Sequence, residues 1–214
     1  MKKNLYSLML DDDVVAAVDA MAHRMETNRS ALVNRILAEV VSVETPEQQI
    51  QNIFETIEEL VRPGRELIPF FAPNSPTMSL KSSLCYKYRP TVKYEVELDR
   101  EEGNRLGTLS VVFRTRSESL IDALAGFFRL WVEIERVHLT PRLGLHIQCS
   151  LYDGRFLRPI ALPRQDCGAE EIARAISDYV QLFDRLLKAY LGGMPPRRIE
   201  QLYCEDLEKR AILI

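Results

Sequence analysis

Along the first forty residues the apolar positions change period. Tyr6, Leu8 and Leu10 alternate with Leu5, Ser7 and Met9, the pattern of a short β-strand over residues 4–10. Val14, Val18, Met21, Ala22 and Met25 then fall at helical spacing, and the aspartates at 11–13 occupy a first turn, where carboxylates meet the positive end of the helix dipole. Asn28 is a good N-cap for a second helix, whose stripe is Leu32, Val33, Ile36, Leu37, Val40 and Val41. Thr45, Pro46 and Gln48 spell a capping box with proline at the first helical position. The stripe of this third helix is Ile50, Ile53, Phe54, Ile57, Leu60 and Val61, and Pro63-Gly64 stops it.

Prolines at 63, 69, 73 and 76 follow, a density that forbids a long helix and predicts a linker or irregular wrap. The second half reads as two hairpin-plus-helix units. Val92, Tyr94, Val96 and Leu98 alternate, as do Leu109, Val111 and Phe113, and Ser117 opens a helix carrying Leu120, Leu124, Phe127, Phe128, Trp131 and Ile134. Alternation from Leu143 to Leu151 predicts a strand up to Asp153-Gly154, a preferred hairpin turn. A strand around FLRPIAL comes next, with Pro159 pointing to an edge position, then a helix from about 169 to 191. Gly192-Gly193 ends that helix, and Pro195-Pro196 starts a short terminal one. The two long helices match at an offset of 52, which a duplicated ββα unit would explain; the strands do not keep that offset, and a chance agreement of amphipathic stripes is favoured. The expected architecture is α+β: residues 1–44 as one module, 45–79 as a helix plus Pro-rich connector, and 80–214 as a domain of ββαββα order.

Composition changes this picture little. At 46% apolar and 28% charged residues the chain is of ordinary globular type, and it has no apolar run long enough for a transmembrane helix. Two N-terminal lysines without an apolar core behind them argue against a secretion signal, so the cytoplasm is the expected compartment. Cys85, Cys149, Cys167 and Cys204 are scattered and read as buried thiols. The net charge of −3, with five basic and six acidic residues in 1–41, leaves any nucleic-acid affinity to the placement of charges.

Strand, acidic-capped helix, turn and the capped NRSALVNRIL helix together resemble the ribbon-helix-helix DNA-binding family of the Arc, MetJ and CopG type, over about a fifth of the chain. The resemblance implies a homodimeric transcriptional regulator, a repressor in most of the family. Its two strands pair into an antiparallel ribbon in the major groove of double-stranded DNA, and the second-helix N-termini rest on flanking phosphates. Physics agrees with the pairing, because forty residues cannot bury enough apolar surface alone.

Carried over by position, Tyr6, Leu8 and Leu10 face inward and Leu5, Ser7 and Met9 face the bases. Asn28, Arg29 and Ser30 form the phosphate clamp, with Lys2, Lys3 and Asn4 as a contacting arm. Family members usually place hydrogen-bonding side chains where Leu5 and Met9 stand. Either readout is modest and leans on phosphates, Ser7 and the arm, or the ribbon is covered by protein and the module only assembles the chain. A register shifted by one would expose Tyr6, Leu8 and Leu10, which suits DNA less well.

The rest of the chain offers weaker candidates. Lys87, Arg89 and Lys93 alternate with Tyr86, Tyr88 and Tyr94; they read as the solvated face of a strand, or as a pocket for an anionic ligand. His138, His146 and Cys149 invite comparison with nickel-sensing relatives, but on a strand His146 and Cys149 point to opposite faces, so no metal is expected. Phe127, Phe128 and Trp131 read as core, and Tyr203-Cys204 shows no base or metal partner in sequence. No nucleophile motif, glycine-rich phosphate loop or HExxH occurs, so neither catalysis nor a cofactor is expected. The C-terminal part is expected to sense an effector or partner, or to pair dimers into tetramers; an antitoxin-like role is the further alternative.

Overall fold

The computed structural model describes residues 5–73, 75–84, 90–100, 103–152 and 154–214. The fold is α+β. Helices α1 (Asp12–Arg24), α2 (Arg29–Val40) and α3 (Pro46–Val61) come first, followed by strands β1 (Leu67–Phe71), β2 (Thr77–Ser83), β3 (Thr91–Leu98) and β4 (Arg105–Phe113). Then come α4 (Glu118–Ile134), α5 (Thr140–Leu143), β5 (Ser150–Tyr152), β6 (Arg155–Ala161), α6 (Ala169–Leu191) and α7 (Pro196–Leu207). The strands form one antiparallel sheet of six in the order β1-β2-β3-β4-β6-β5.

Local chemistry sets the helix starts as the sequence implies. Asn28 accepts from the Ala31 amide at 2.9 Å. At α3 the Thr45 hydroxyl accepts from the Gln48 amide while the Gln48 side chain accepts from the Thr45 amide. Ser117 caps α4. In β3 the alternation holds residue by residue, with Val92, Tyr94, Val96 and Leu98 all buried. Gly107 stands where a Cβ would lie 2.1 Å from the Glu97 carbonyl oxygen, so β3 and β4 approach this closely only because no side chain intervenes. Gly154 takes the positive φ (70°) that the β5–β6 turn needs, while its neighbour Asp153 lies outside the described residues.

Three expectations are corrected. The Pro-rich stretch is not a connector: it supplies β1 and β2, and the core that includes α3 is shared with the sheet. Pro69 is compatible with a strand because β1 is the sheet edge, where an amide is dispensable. The expected ββαββα order is incomplete: β1 and β2 precede the run β3-β4-α4-β5-β6-α6, and α7 follows it. The expected strand over 143–151 shrinks to Ser150–Tyr152, because α4 continues through a π turn, Glu135–Leu139, into α5, whose last residue is Leu143.

The proline at 159 sits beyond Leu157, the last residue of β6 that β5 reaches, so that end of β6 is an edge. Helical positions paired at the offset of 52 share their burial, as in Leu124 with Ile176 and Trp131 with Phe183. The hairpins β3–β4 and β5–β6 meet through the antiparallel β4–β6 pair.

One face of the sheet carries the core. Phe71 meets Phe54 of α3, Tyr94 meets Phe183 of α6, Phe156 stacks on Phe128 of α4, and Tyr203 of α7 packs on Trp131. The contiguous core begins at Ile50. Residues 5–10 form neither helix nor strand; an isolated strand has no partner for its backbone groups within one chain.

Candidate nucleic-acid interface and interior polar sites

The α1–α2 hairpin presents most of its apolar stripes to solvent. Ala22, Leu32 and Ala38 are buried, whereas Val14, Met21, Ile36, Leu37, Val40 and Val41 are exposed, Val40 by 78%. On the N-terminal segment Leu5 is 98% exposed and Leu8 65%, with Tyr6, Met9 and Leu10 also exposed. Both expected faces of that segment are therefore open in the single chain, and Ser7 is open with them.

At the second-helix N-terminus the three expected residues lie together. Asn28 is committed to capping, Ser30 is exposed, and Arg29 is pinned by Asp19 of α1. The Arg29 Nε donates to Asp19 Oδ1 at 2.6 Å and its terminal nitrogen to Oδ2. These bonds hold the Asp19 carboxyl below its usual range and the guanidinium above its own. An anion approaching α2 thus meets a helix N-terminus and a guanidinium already shared with a carboxylate. Lys2, Lys3 and Asn4 lie outside the described residues.

Of the anionic-ligand candidates, Lys93 lies among the described residues. Lys87 and Arg89 lie outside the described residues. Lys93 pairs with Glu95 at 2.6 Å on the outer sheet face, and Glu95 also stands 3.6 Å from Arg155. His138 Nε2 meets Glu200 at 2.8 Å, while His146 is exposed. Burial pushes the Cys149 thiol up to about 12. Among the described residues no three metal-ligating side chains converge.

Two interior features escaped sequence reasoning. The first is a network centred on fully buried Arg158. Its Nε donates to both Glu135 oxygens at 3.1 Å, its terminal nitrogens to the Pro159 and Ile214 carbonyls at 3.1 and 2.6 Å, and its plane lies 4.3 Å from the Tyr179 ring. Tyr179 donates to Glu135 at 2.7 Å and accepts from the Trp131 indole at 2.8 Å. Burial works against the Arg158 charge, but the Glu135 carboxylate together with the Tyr179 and Tyr203 phenols outweighs it and holds the guanidinium firmly protonated. Burial pushes the Tyr179 phenol well up. The signal was present: alternation in FLRPIAL sets Arg158 on the face of Phe156 and Ile160, and Glu135 follows Trp131 by one helical turn.

The second is a cleft of about 650 Å³ between the β1 entry, α6 and the segment after α7. Its floor is apolar, from Val61, Leu67, Ala175 and Leu182, and its rim is charged. Beside it Asp184, buried in α6, accepts from the Tyr94 phenol at 2.9 Å and pairs with Lys188 at 2.7 Å; Lys188 also reaches Glu66 at 2.9 Å.

No family model matches the chain, and neither a curated protein nor a solved structure matches it. Among the described residues no helix is long and apolar enough to cross a membrane.

Proposed function

We propose that the protein is a homodimeric DNA-binding transcriptional regulator of ribbon-helix-helix type, whose residues beyond 45 act as an effector or oligomerisation part. The observation that carries this reading is the pair of α1 and α2, whose apolar stripes stay uncovered within the chain. A second copy covers them, and Tyr6, Leu8 and Leu10 pack inward when the two N-terminal segments pair. The opposite face, Leu5, Ser7 and Met9, then enters the major groove, with apolar contacts to thymine methyls and one hydroxyl hydrogen bond. Affinity rests on phosphates at Arg29, Ser30 and the α2 amides, so discrimination between sequences is modest.

A second reading has its own support. Arg29 is already engaged by Asp19, and Leu5 and Met9 offer no hydrogen bonds, which suits a module that only assembles the chain. Gel-shift titration against pooled duplex DNA over a range of salt decides between them. DNA binding requires that Arg29→Ala reduce the slope of log affinity against log salt by about 1 per chain. Asp19→Asn, which releases Arg29, tightens binding. Dimers that ignore DNA, or a slope unchanged by Arg29→Ala, sink the DNA reading.

A further inference from the structure

Helices α3, α4 and α6 pack on one face of the sheet. On the opposite face Ile68, Phe70, Lys81, Glu97 and Tyr152 are exposed, Phe70 by 70% and Tyr152 by 55%. The strand register sorts the side chains of that face into rows running across the strands. One row reads Ile68, Lys81, Lys93, Val112, Arg155 and Tyr152 from β1 to β5. Its three cations stand on β2, β3 and β6, three strand spacings from first to last, about 14 Å.

Acid does not balance this row. Glu95, one row along on β3, pairs with Lys93 at 2.6 Å and stands 3.6 Å from Arg155. Glu97 lies a further row away, opposite Thr108. Lys81 makes no ion pair among the described residues. Neither do Arg114 and Arg116, both exposed just beyond the end of β4 that the row borders. At the opposite end of the strands Arg105 is matched by Asp99 at 3.0 Å. Positive charge therefore gathers at one end of the face, in a chain whose net charge is −3. Aromatic rings flank it: Tyr152 neighbours Arg155 in register, and Phe70 lies one row along on β1.

From this we infer that the outer sheet face binds single-stranded nucleic acid. The phosphates follow Lys81, Lys93 and Arg155, with Arg114 and Arg116 beside them, and a base stacks on Tyr152. The span of the three cations corresponds to about four nucleotides at the 3.4 Å rise of a stacked strand. Stacking on a side chain needs a base whose ring face is free, which a single strand offers and a duplex does not. A flat antiparallel sheet suits the task, because its side chains stand out from a rigid support toward splayed bases. Glu95 restrains the affinity by engaging two of the three cations. The ribbon reading is not needed here, since neither α1, α2 nor a second copy takes part.

The test is fluorescence anisotropy of the full-length protein with a labelled twelve-nucleotide oligothymidylate over a range of salt. Binding is expected. In the Lys81→Gln/Arg155→Gln variant, checked for folding by circular dichroism, affinity should fall at least tenfold. The slope of log affinity against log salt should fall by about 1.4, the share of two phosphate contacts on a single strand. Glu95→Gln, which releases Lys93 and Arg155, should tighten binding several-fold, a gain that misfolding cannot produce. Tyr152→Ala should weaken the oligothymidylate but not an abasic strand of the same length, and Arg29→Ala should leave single-strand binding as it is. No binding, an unaffected Lys81/Arg155 variant, no gain with Glu95→Gln, an equal effect of Tyr152→Ala on both strands, or a loss with Arg29→Ala overturns the proposal. So does polyglutamate binding as tightly as the oligonucleotide, or, in the Arg29→Ala protein, a duplex binding as tightly as the single strand. The ribbon reading is scored by Arg29→Ala on duplex DNA, so failure of one is told from failure of the other.

Discussion

The two ends of the molecule use their apolar residues in opposite ways. Helix α6 buries 12 of its 23 residues, including Ile176, Phe183 and Leu187, against the sheet and neighbouring helices. Helices α1 and α2 together bury only Ala22, Leu32 and Ala38, although their stripes are as regular in sequence. Propensity and capping suffice to outline α1 and α2, but most helical stability in water comes from packing, and that is what these two lack within the chain. The C-terminal unit buries its core stripes within one chain and leaves Ile68 and Phe70 at the β1 edge exposed. The N-terminal hairpin leaves its apolar stripes uncovered, which is the surface the proposed second copy would bury.

Variants put that contrast to the test. The largest effect is expected inside the C-terminal unit. Arg158→Met or Glu135→Leu leaves a fully buried charge unpaired and should cost about 3–5 kcal/mol in urea unfolding, with the double variant recovering much of the loss. A double variant that loses the sum of the two single losses would show that the pair is not coupled. In the N-terminal part, Leu8→Asp should convert dimers to monomers in sedimentation while the urea transition of the C-terminal unit stays put. A loss of both together would mean that the two regions fold as one. The smallest effect concerns reactivity. With its thiol pushed up to about 12 by burial, Cys149 is roughly one part in ten thousand thiolate at pH 8 and should be alkylated far more slowly than an exposed cysteine in a peptide. Reaction at the peptide rate would show that the interior near Arg158 opens readily.

Periodicity and capping made the helices legible: Asn28, Thr45 and Ser117 sit at helix starts, and β3 alternates as written. What failed to show depends on neighbours. Four prolines concealed β1 and β2, because the tolerance of Pro69 follows from its position at the sheet edge, which the sequence does not display. The 143–151 alternation misled, since Leu143 is buried at a helix end rather than in a strand. Asn28, Arg29 and Ser30 were legible as a group, but not the Asp19 carboxylate that occupies Arg29, because the contact crosses from α2 to α1. The cleft is built from three separate segments and left no local signature.

The sheet's two rims bear on how copies of this chain meet. One rim is β1, with a proline at its centre; the other is β5, three residues long. A proline offers no amide to an incoming strand, and three residues give it little to grip. The large sheet is thus poorly suited to accrete further strands, whereas residues 5–10 belong to no helix or ladder. On the dimeric reading proposed above, a second copy meets the α1–α2 module, and crowding many copies together should produce pairs rather than fibres.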